Sequence, residues 1–334
     1  MHGKAEIERA VEILRDGGLV AFATETVYGL GADATNAQAV AKIFAAKGRP
    51  PVNPLIVHVG DVSQAKQYVT AWPESAERLA HAFWPGPLTL VLPKSERIVP
   101  AVTAGLKTVG IRCPDHPIAL QLLREFAGPV AAPSANRSNR VSPTTAEHVR
   151  RELGDSVDLI LDGGECRVGI ESTVVDLTSS HPAILRPGAI GLDQLEQLIG
   201  PVDFRTDGDP SKPALSPGRQ PVHYAPVTPA FRFSQADVGH LRNLFSSPLG
   251  RSTVFLIIGG TELARQLREW TDPGAIIEMP AGTDGYARRL YAALREADDR
   301  NPGAIWVQQP PDEIQWDAVR DRVCRATRPA SEAS

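Results

Sequence analysis

The sequence is poor in cysteine, which excludes several protein classes at the outset. Its 334 residues include three cysteines, Cys113, Cys166 and Cys324, an odd number at wide spacing. No CxxC pair or cysteine–histidine cluster accompanies them, so the pattern indicates neither a disulfide framework nor a zinc site. A reducing compartment suits such a chain, and we therefore expect a cytoplasmic location.

Long apolar runs and a strong charge of one sign are also missing. No run approaches the roughly 20 apolar residues that span a bilayer, and the first residues form a polar, helix-patterned segment unlike a signal peptide. We therefore expect no membrane partner. The net charge of −4 gives no overall attraction for nucleic acid, so we expect any RNA contact to be weak and local.

Several common motifs of nucleotide-binding and hydrolytic enzymes do not occur in the sequence. It has no GxxxxGKS/T loop, no GxGxxG, no HExxH and no GxSxG. The chain is therefore not a recognisable P-loop ATPase, Rossmann dehydrogenase, zincin or α/β-hydrolase.

Strand and helix patterns alternate along the first 203 residues. Apolar residues at helical spacing predict helices over 5–15, 36–47, 115–126 and 146–153. Short apolar runs predict strands over 19–23, 55–59, 88–92, 108–111, 130–132, 159–161, 173–177 and 183–185. We predict that Asn36 caps the second helix and Gly48 stops it, and that Ser142 caps the last helix, with Pro143 at its first position. The alternation is typical of an α/β or α+β domain.

A change of composition near residue 203 predicts a second domain. Residues 204–229 are rich in proline and poor in apolar anchors, as a long linker would be. From 230 to 330 the order β-α-β-α-β-α is typical of a small parallel sheet. We thus expect a catalytic domain over 1–203, a linker over 204–229 and an accessory domain over 230–330. The linker and accessory domain would act as a lid.

Two cations follow the second predicted helix on a stiff segment, Lys47-Gly48-Arg49-Pro50. Prolines lower the entropy lost on ordering a loop, so cations here can hold phosphate oxygens with little reorganisation. The alternative is a solvated helix end, where Lys47 interacts with the helix dipole. His58, on the next strand, is either a general base or a packing or binding residue.

Other predicted strand ends carry hydroxyls and arginines. The turn over 24–31 follows a strand, and the loop over 131–143 is rich in hydroxyls and amides. Arg112 and Arg186 each end a strand; Arg112 suits a carboxylate, although an ion pair with Asp115 is the alternative. Each feature is weak by itself, but converging strand ends are how α/β ligand sites are built.

Seven ordered blocks together resemble the threonylcarbamoyl-AMP synthase family, also called YrdC-like. They are TETVYGLGADA, KGRPPVNPLIVHV, FWPGPLTLVL, VGIRCPDHP, APSANRSNRVSPTTAEHV, GIESTVVDL and LRPGAI, and they cover roughly residues 5–200. The segment SPGRQPVHYAP and the domain after it resemble the long, two-domain form. The implied fold is α/β: a twisted mixed sheet with flanking helices around a concave basic cavity, then a small Rossmann-like α/β domain.

The resemblance implies a nucleotidyltransferase reaction. L-Threonine, bicarbonate or CO2, and ATP would give threonylcarbamoyl-AMP and pyrophosphate. A downstream tRNA threonylcarbamoyl transferase machinery would use the product on adenosine 37 of tRNAs that read codons beginning with A. Such chemistry needs positioning and charge neutralisation and no covalent enzyme nucleophile.

The resemblance also implies how the site is divided between the two substrates. Threonine would contact Thr26, His58, Arg112, Ala132 and Ser172 or its neighbour Thr173, with Arg112 taking the carboxylate. ATP would contact Lys47, Arg49, Asn53, Thr108, Ser134, Ser142, Arg186 and Tyr224. Lys47 and Arg49 would face the triphosphate as the catalytic cations, and Mg2+ would arrive with ATP, since no dedicated carboxylate cage is visible.

Two other functions are weighed against this one. A related fold could grip double-stranded RNA or tRNA without catalysis, but the acidic net charge argues against it. A carbamoyltransferase of hydrogenase maturation contains a related domain, but it needs acylphosphatase and zinc-finger segments. Three scattered cysteines do not supply the latter.

Overall fold

The computed structural model describes residues 4–205, 223–239, 241 and 252–333. The chain divides into two compact units. The first comprises Met1–Ser138 and Ser142–Arg219, and the second comprises Asn139–Val141 and Gln220–Ser334. Most of the predicted linker, residues 206–222, lies outside the described residues. The linker boundaries and the lid therefore stay predictions.

The first unit is built on one large mixed sheet. Its strands are β1 Val20–Phe22, β2 Gly29–Asp33, β3 Ile56–His58, β4 Leu88–Pro93, β5 Thr108–Arg112, β6 Val130–Ala131, β7 Leu159–Leu161, β8 Thr173–Asp176, β9 Ala183–Arg186 and β10 Asp203–Phe204. They lie in the order β10-β9-β8-β4-β5-β3-β6-β2-β1-β7. The pairs β3/β5 and β4/β8 are parallel, whereas β4/β5 and β8/β9 are antiparallel.

Helices flank this sheet. They are α1 Lys4–Arg15, α2 Ala37–Lys47, α3 Val62–Lys66, α4 Glu74–Phe83, α5 Pro117–Phe126, α6 Ala146–Leu153 and α7 Leu192–Ile199. Residues of α1 and α5 share one apolar cluster, while α2, α4 and α6 contribute to the main core. The mixed α/β fold expected from the sequence is confirmed.

Side chains alternate between the two faces of the sheet. The register pairs Ile56 with Gly110 and His58 with Arg112, so these four residues share one face. The intervening Val57 lies in the main apolar core on the other face. The strand pairing therefore places an imidazole and a guanidinium side by side.

Helix α2 begins and ends as its sequence predicts. The Asn36 side-chain oxygen accepts hydrogen bonds from Gln38 N at 3.0 Å and Ala39 N at 3.2 Å. Gly48 has φ 58° and stops the helix in the left-handed region, which glycine adopts at little cost. Lys47 is consequently the last helical residue, and the chain turns immediately after it.

The predicted start of α6 is wrong. Thr145 is the cap, because its hydroxyl accepts the His148 backbone N–H at 3.3 Å. Ser142 instead donates to Glu171, and the Pro143 carbonyl accepts the Tyr28 backbone N–H at 2.9 Å. Residues 142 and 143 thus belong to the loop that precedes the helix.

Local patterns missed five elements of the first unit. The expected polar turn over 24–31 ends in β2, which pairs antiparallel with β1 and β6. Strand β10 and helices α3, α4 and α7 were not predicted either. In β2, glycine replaces the usual β-branched residues: a Cβ on Gly31 would lie 2.8 Å from the Phe22 ring. Close packing rather than β-propensity therefore fixes this strand.

The second unit is a smaller parallel layer. Its strands are β11 Ala230–Phe233, β12 Thr253–Ile258, β13 Ile276–Met279, β14 Ala304–Gln308 and β15 Arg328–Pro329, in the order β13-β12-β14-β11-β15. Its helices include α8 Glu262–Trp270, α9 Thr283–Asp299 and α10 Asp317–Ala326. All of the strand pairs in this sheet are parallel, which confirms the expected small parallel sheet.

Within the described residues, the structure contains no helix that is both long and apolar enough to cross a membrane.

Tyr28 ties the first polar turn to a distant loop. Its hydroxyl donates to the Gly164 carbonyl at 2.8 Å and accepts the Gly163 N–H at 3.1 Å. The ring is fully buried, and burial is the main cause that raises the pKa of this phenol. Tyr28 is therefore a structural residue rather than a ligand contact.

We predict that Tyr28→Phe lowers the free energy of unfolding by about 1–3 kcal/mol, because it removes two part-buried hydrogen bonds, each worth about 0.5–1.5 kcal/mol. Chemical denaturation measures this change. Tyr68→Phe is the matched control, since Tyr68 is also buried and its hydroxyl makes no hydrogen bond to any described residue. Equal, small changes in the two variants would contradict the assignment.

Candidate active site

Arg112, at the end of β5, is engaged through all three of its guanidinium nitrogens. Its Nε donates to the Gly86 carbonyl at 3.3 Å and its Nη1 donates to Thr26 Oγ1 at 2.9 Å. Its Nη2 lies 2.7 Å from Glu25 Oε1, and both side chains are almost fully buried. The alternative ion pair with Asp115 is wrong, because Asp115 pairs with Arg167 at 2.6 Å.

His58 lies beside Arg112 on β3 and is a buried, neutral imidazole. Burial, with a smaller contribution from the Arg112 charge, lowers the pKa of His58 to about 3. Its ring packs edge-on against Phe22, with centroids 6.2 Å apart. Its Nδ1 has no hydrogen-bond partner within the described residues. A base this weak is unsuited to accept a proton at neutral pH, but it can accept or donate a hydrogen bond.

Ser172 and Arg186 meet at the neighbouring strand ends. Arg186 Nη2 donates to the Ser172 carbonyl at 3.0 Å and to Ser172 Oγ at 3.1 Å. Ser172 Oγ also lies 2.8 Å from Thr89 Oγ1 on β4. Thr173 Oγ1 donates to the Ile190 carbonyl at 2.9 Å and accepts its N–H at 3.0 Å. Ser172 therefore lies in a polar network, whereas Thr173 fixes a loop.

Lys47 is buried rather than solvated. Its ammonium donates to the backbone carbonyls of Ser134 and Asn136, each at 2.5 Å. Burial first, and then the charge of Arg49, hold the pKa of Lys47 well below its ordinary value. The alternative of a solvated helix end is thus wrong, because Lys47 is 2% exposed. Two of the three ammonium donors hold the polar loop over 131–143.

Arg49 also binds main-chain oxygens. Its Nη2 donates to the Pro54 carbonyl at 3.1 Å and its Nε donates to the Asn53 carbonyl at 3.4 Å. The side chain is 8% exposed. These contacts wrap the segment after α2 around the guanidinium and bring Asn53 next to it.

The loop that follows β6 carries three further predicted residues. Ala132 donates its N–H to the Ile56 carbonyl at 2.9 Å and extends the sheet by one residue. Ser134 offers its carbonyl to Lys47 and pairs with Gly29 in an isolated bridge. Ser142 Oγ donates to Glu171 Oε1 at 2.6 Å in the interior.

A small cavity lies on the face of β5 that carries Arg112. Its lining includes Ile56, Thr89, Thr108 and Gly110. A Cβ on Gly110 would lie 3.2 Å from the methyl carbon of Thr89, so glycine keeps this face open. Thr108 starts β5, four residues and about 13 Å from Arg112 along the strand. Its buried hydroxyl has no hydrogen-bond partner among the described residues.

Tyr224 belongs to the second unit. It is 1% exposed and its φ is 62°. Its ring packs against His223, with centroids 4.0 Å apart, and against Tyr291 at 5.6 Å. The guanidinium carbon of the buried Arg322 lies 5.5 Å from the same ring. The structure thus describes Tyr224 as an anchored aromatic residue of that unit, and its predicted contact with ATP remains a prediction.

Three polar residues next to the predicted ones were missed. Glu25 pairs with Arg112, Thr89 with Ser172, and Glu171 with Ser142. Glu25 and Glu171 lie inside the blocks that carry the family resemblance, and an acidic residue beside a predicted cation or hydroxyl was the available signal. Thr89 lies within an apolar strand and offered no local signal.

The low pKa of His58 predicts how stability depends on pH. The unfolded chain binds a proton at about pH 6.5, and the folded chain only near pH 3. The free energy of unfolding therefore falls as pH drops through that window, by at most about 1.4 kcal/mol per pH unit from this group. His58→Gln should reduce the slope, as read by denaturation at pH 7, 6, 5 and 4. The exposed variant His181→Gln should keep the wild-type slope, and an unchanged slope in His58→Gln would refute the assignment.

Two family models match the chain. The model described as telomere recombination, which groups Sua5, YciO and YrdC, matches residues 12–188. The model described as threonylcarbamoyl-AMP synthase, C-terminal domain, matches residues 190–327.

Several individual proteins are similar to this chain over nearly its full length. A threonylcarbamoyl-AMP synthase of Bacillus subtilis is 50% identical, and the match covers 96% of this chain and 92% of the relative. One of Schizosaccharomyces pombe is 35% identical, with 97% and 88% covered. The crystal structure of Pyrococcus abyssi Sua5 complexed with L-threonine is 38% identical, with a TM-score of 0.87 and 96% and 95% covered. The chain therefore belongs to the threonylcarbamoyl-AMP synthase family, in the form that carries both domains.

Proposed function

We propose that this protein is an ATP-dependent threonylcarbamoyl-AMP synthase. It joins L-threonine, bicarbonate and ATP to give threonylcarbamoyl-AMP, pyrophosphate and water. The observation that carries this proposal is 50% identity to an enzyme of that name across 96% of the chain. A downstream transferase would then place the threonylcarbamoyl group on adenosine 37 of tRNAs that read codons beginning with A. A cytoplasmic location would place the enzyme beside the tRNA machinery that uses its product.

The chemistry calls for positioning more than for a reactive side chain. The threonine ammonium loses a proton, the free amine attacks CO2 to form a carbamate with release of a second proton, and a carbamate oxygen then attacks the α-phosphorus of ATP as pyrophosphate leaves. Each step gathers negative charge, so preorganised cations and hydrogen-bond donors lower the barrier. Lys47, Arg49, Arg112 and Arg186 are each less than 10% exposed, where their charges act with little screening.

The end of β5 is the proposed threonine subsite. Arg112, His58, Thr26 and the network of Ser172 surround it through strand pairing and hydrogen bonds. Arg112 would take the substrate carboxylate, and the neutral His58 would accept or donate a hydrogen bond. Ala132 would contribute backbone, because its side chain is a methyl group. Thr173 is assigned a supporting role, since its hydroxyl is already used twice by Ile190.

The segment after α2 and the loop after β6 are the proposed ATP subsite. Arg49, Asn53 and the carbonyl partners of Lys47 lie together there, and Thr108 supplies a hydroxyl at the far end of β5 from Arg112. Lys47 organises the loop that bears Ser134 and Ser142, and its remaining donor faces the triphosphate. Arg186 and Tyr224 complete the proposed set.

Mg2+ would enter with ATP, as a substrate-borne ion. No group of three or more acidic, histidine or cysteine side chains among the described residues has metal-binding geometry. Mg2+ commonly keeps several waters and binds nucleotide phosphates rather than an all-protein cage. In that arrangement the protein contributes cations and amides around a metal–triphosphate complex.

The reaction is tested by measuring pyrophosphate release from ATP in the presence of L-threonine and bicarbonate. We expect release to fall to background when either is omitted, because the carbamate is the only nucleophile offered to the α-phosphorus. L-Serine and L-valine serve as control amino acids. Pyrophosphate release that continues at an undiminished rate without threonine or without bicarbonate would refute the proposal.

The two subsites predict opposite effects of two arginine substitutions. Arg49→Gln should raise KM for ATP about tenfold or more, with threonine KM changed less than about threefold, because a lost contact to a charged group costs about 1.5–3 kcal/mol. Arg112→Gln should show the reverse pattern. Steady-state kinetics with each substrate varied in turn make the measurement. Equal losses for both substrates in Arg49→Gln would contradict the division.

A further inference from the structure

Glu25 is held rigidly beside the proposed threonine subsite, although the assigned reaction gives it no role. The hydroxyl of Thr24 accepts the backbone N–H groups of Thr26 and Val27, each at 3.2 Å. The Glu25 carbonyl accepts the Val168 N–H at 2.7 Å. Its main chain is therefore fixed on both sides, and the residue is 1% exposed.

The carboxylate of Glu25 is incompletely satisfied for so buried a charge. Oε1 lies 2.7 Å from Arg112 Nη2, but neither oxygen has a hydrogen bond of acceptable angle to any described residue. An ionised carboxylate can accept about four hydrogen bonds. A buried charge is costly unless such bonds are made, so a second cationic or donor group is needed at this place.

Arg112 shows the complementary deficit. Nε and Nη1 are used by Gly86 and Thr26, but Nη2 has no aligned acceptor among the described residues. The unfilled donor and the unfilled acceptor are adjacent atoms of opposite charge. An α-amino acid presents an ammonium and a carboxylate on one carbon, which is the charge pattern that such a pair recognises.

Other titratable side chains close to Glu25 stay uncharged near neutral pH and do not supply the missing cation. Cys113 and Cys166 are thiols, which carry no positive charge in either protonation state, and burial raises the pKa of both. Burial lowers the pKa of the His116 imidazole below its ordinary value. His58 is neutral for the same reason. Among the described residues no cation other than Arg112 contacts Glu25, which leaves the remaining acceptor positions of its carboxylate to a ligand.

We propose that Glu25 binds the α-ammonium of the amino-acid substrate, while Arg112 binds its carboxylate. The proposal rests on the proposed function and adds a substrate contact to it. The Glu25–Arg112 pair then binds both charged groups of the free zwitterion together. A hydroxy acid without the amino group satisfies Arg112 but leaves Glu25 uncompensated, so it is rejected.

The test compares L-threonine with its deaminated analogue, 3-hydroxybutanoate, by isothermal titration calorimetry on the full-length protein. Wild type should bind L-threonine at least about tenfold more tightly than the analogue. In Glu25→Gln, which is close in shape, the ratio should fall below about threefold, chiefly through weaker threonine binding. Glu165→Gln removes the same charge at an exposed position of the same unit and should keep the wild-type ratio.

Two results would overturn the proposal. Parallel weakening of both ligands in Glu25→Gln would mean that Glu25 only supports Arg112. Equal affinities of wild type for L-threonine and 3-hydroxybutanoate would mean that the protein does not bind the ammonium. Failure of the proposed function has a different signature, namely no threonine-dependent pyrophosphate release by wild type.

A folding defect would leave the test intact. If circular dichroism shows that Glu25→Gln is unfolded, two other measurements replace it. Wild type is titrated with N-acetyl-L-threonine, which keeps the carboxylate and loses the cation. The charge-retaining variant Glu25→Asp is titrated with L-threonine and 3-hydroxybutanoate. We expect no binding of the acetylated ligand and a preserved threonine preference in Glu25→Asp. Tight binding of N-acetyl-L-threonine by wild type would overturn the proposal.

Discussion

The buried ion pair between Arg112 and Glu25 is the constraint on which the geometry of the proposed threonine subsite depends. The guanidinium joins the turn after β1 to the segment before β4 through Thr26 and Gly86, and strand pairing places His58 beside it. Removing either charge would leave the other buried and unpaired, which costs several kcal/mol. A folded chain therefore has this cation in place before any substrate arrives.

The other buried cations of the first unit also hold separate chain segments together. Lys47, Arg49 and Arg186 all donate to main-chain carbonyls, so each stabilises the loop that surrounds it. An arginine held by backbone oxygens keeps its full charge, whereas one held by a carboxylate is partly neutralised. Such cations are well suited to stabilise phosphate charge. The loops and the cations thus depend on one another, which explains why the polar blocks of the sequence follow strand ends.

Sequence patterns predicted the structural features that depend on residues close together along the chain. The Asn36 cap and the Gly48 stop of α2 follow from local hydrogen bonding and glycine conformation, and both are confirmed. Strand β2 has glycines at positions where strands usually have β-branched residues. The side chains of Phe22 and Val130 occupy the space that a Cβ on Gly31 would need, so packing rather than β-propensity determines this strand. Ser142 was predicted as a helix cap, but its hydroxyl instead donates to Glu171, which is 29 residues away. Local rules fail where a distant partner competes.

The same limit applies to the site. The family resemblance named Arg112, Ser172 and Lys47, but the partners that decide their state come from other segments. Glu25 and Thr89 meet them only once the sheet has formed. Because Arg112 carries a counter-charge, a substrate carboxylate alone gains little there: it must share the cation with Glu25. An ammonium on the same ligand removes that competition by engaging Glu25 itself, so the pair favours a zwitterion over either of its charged halves.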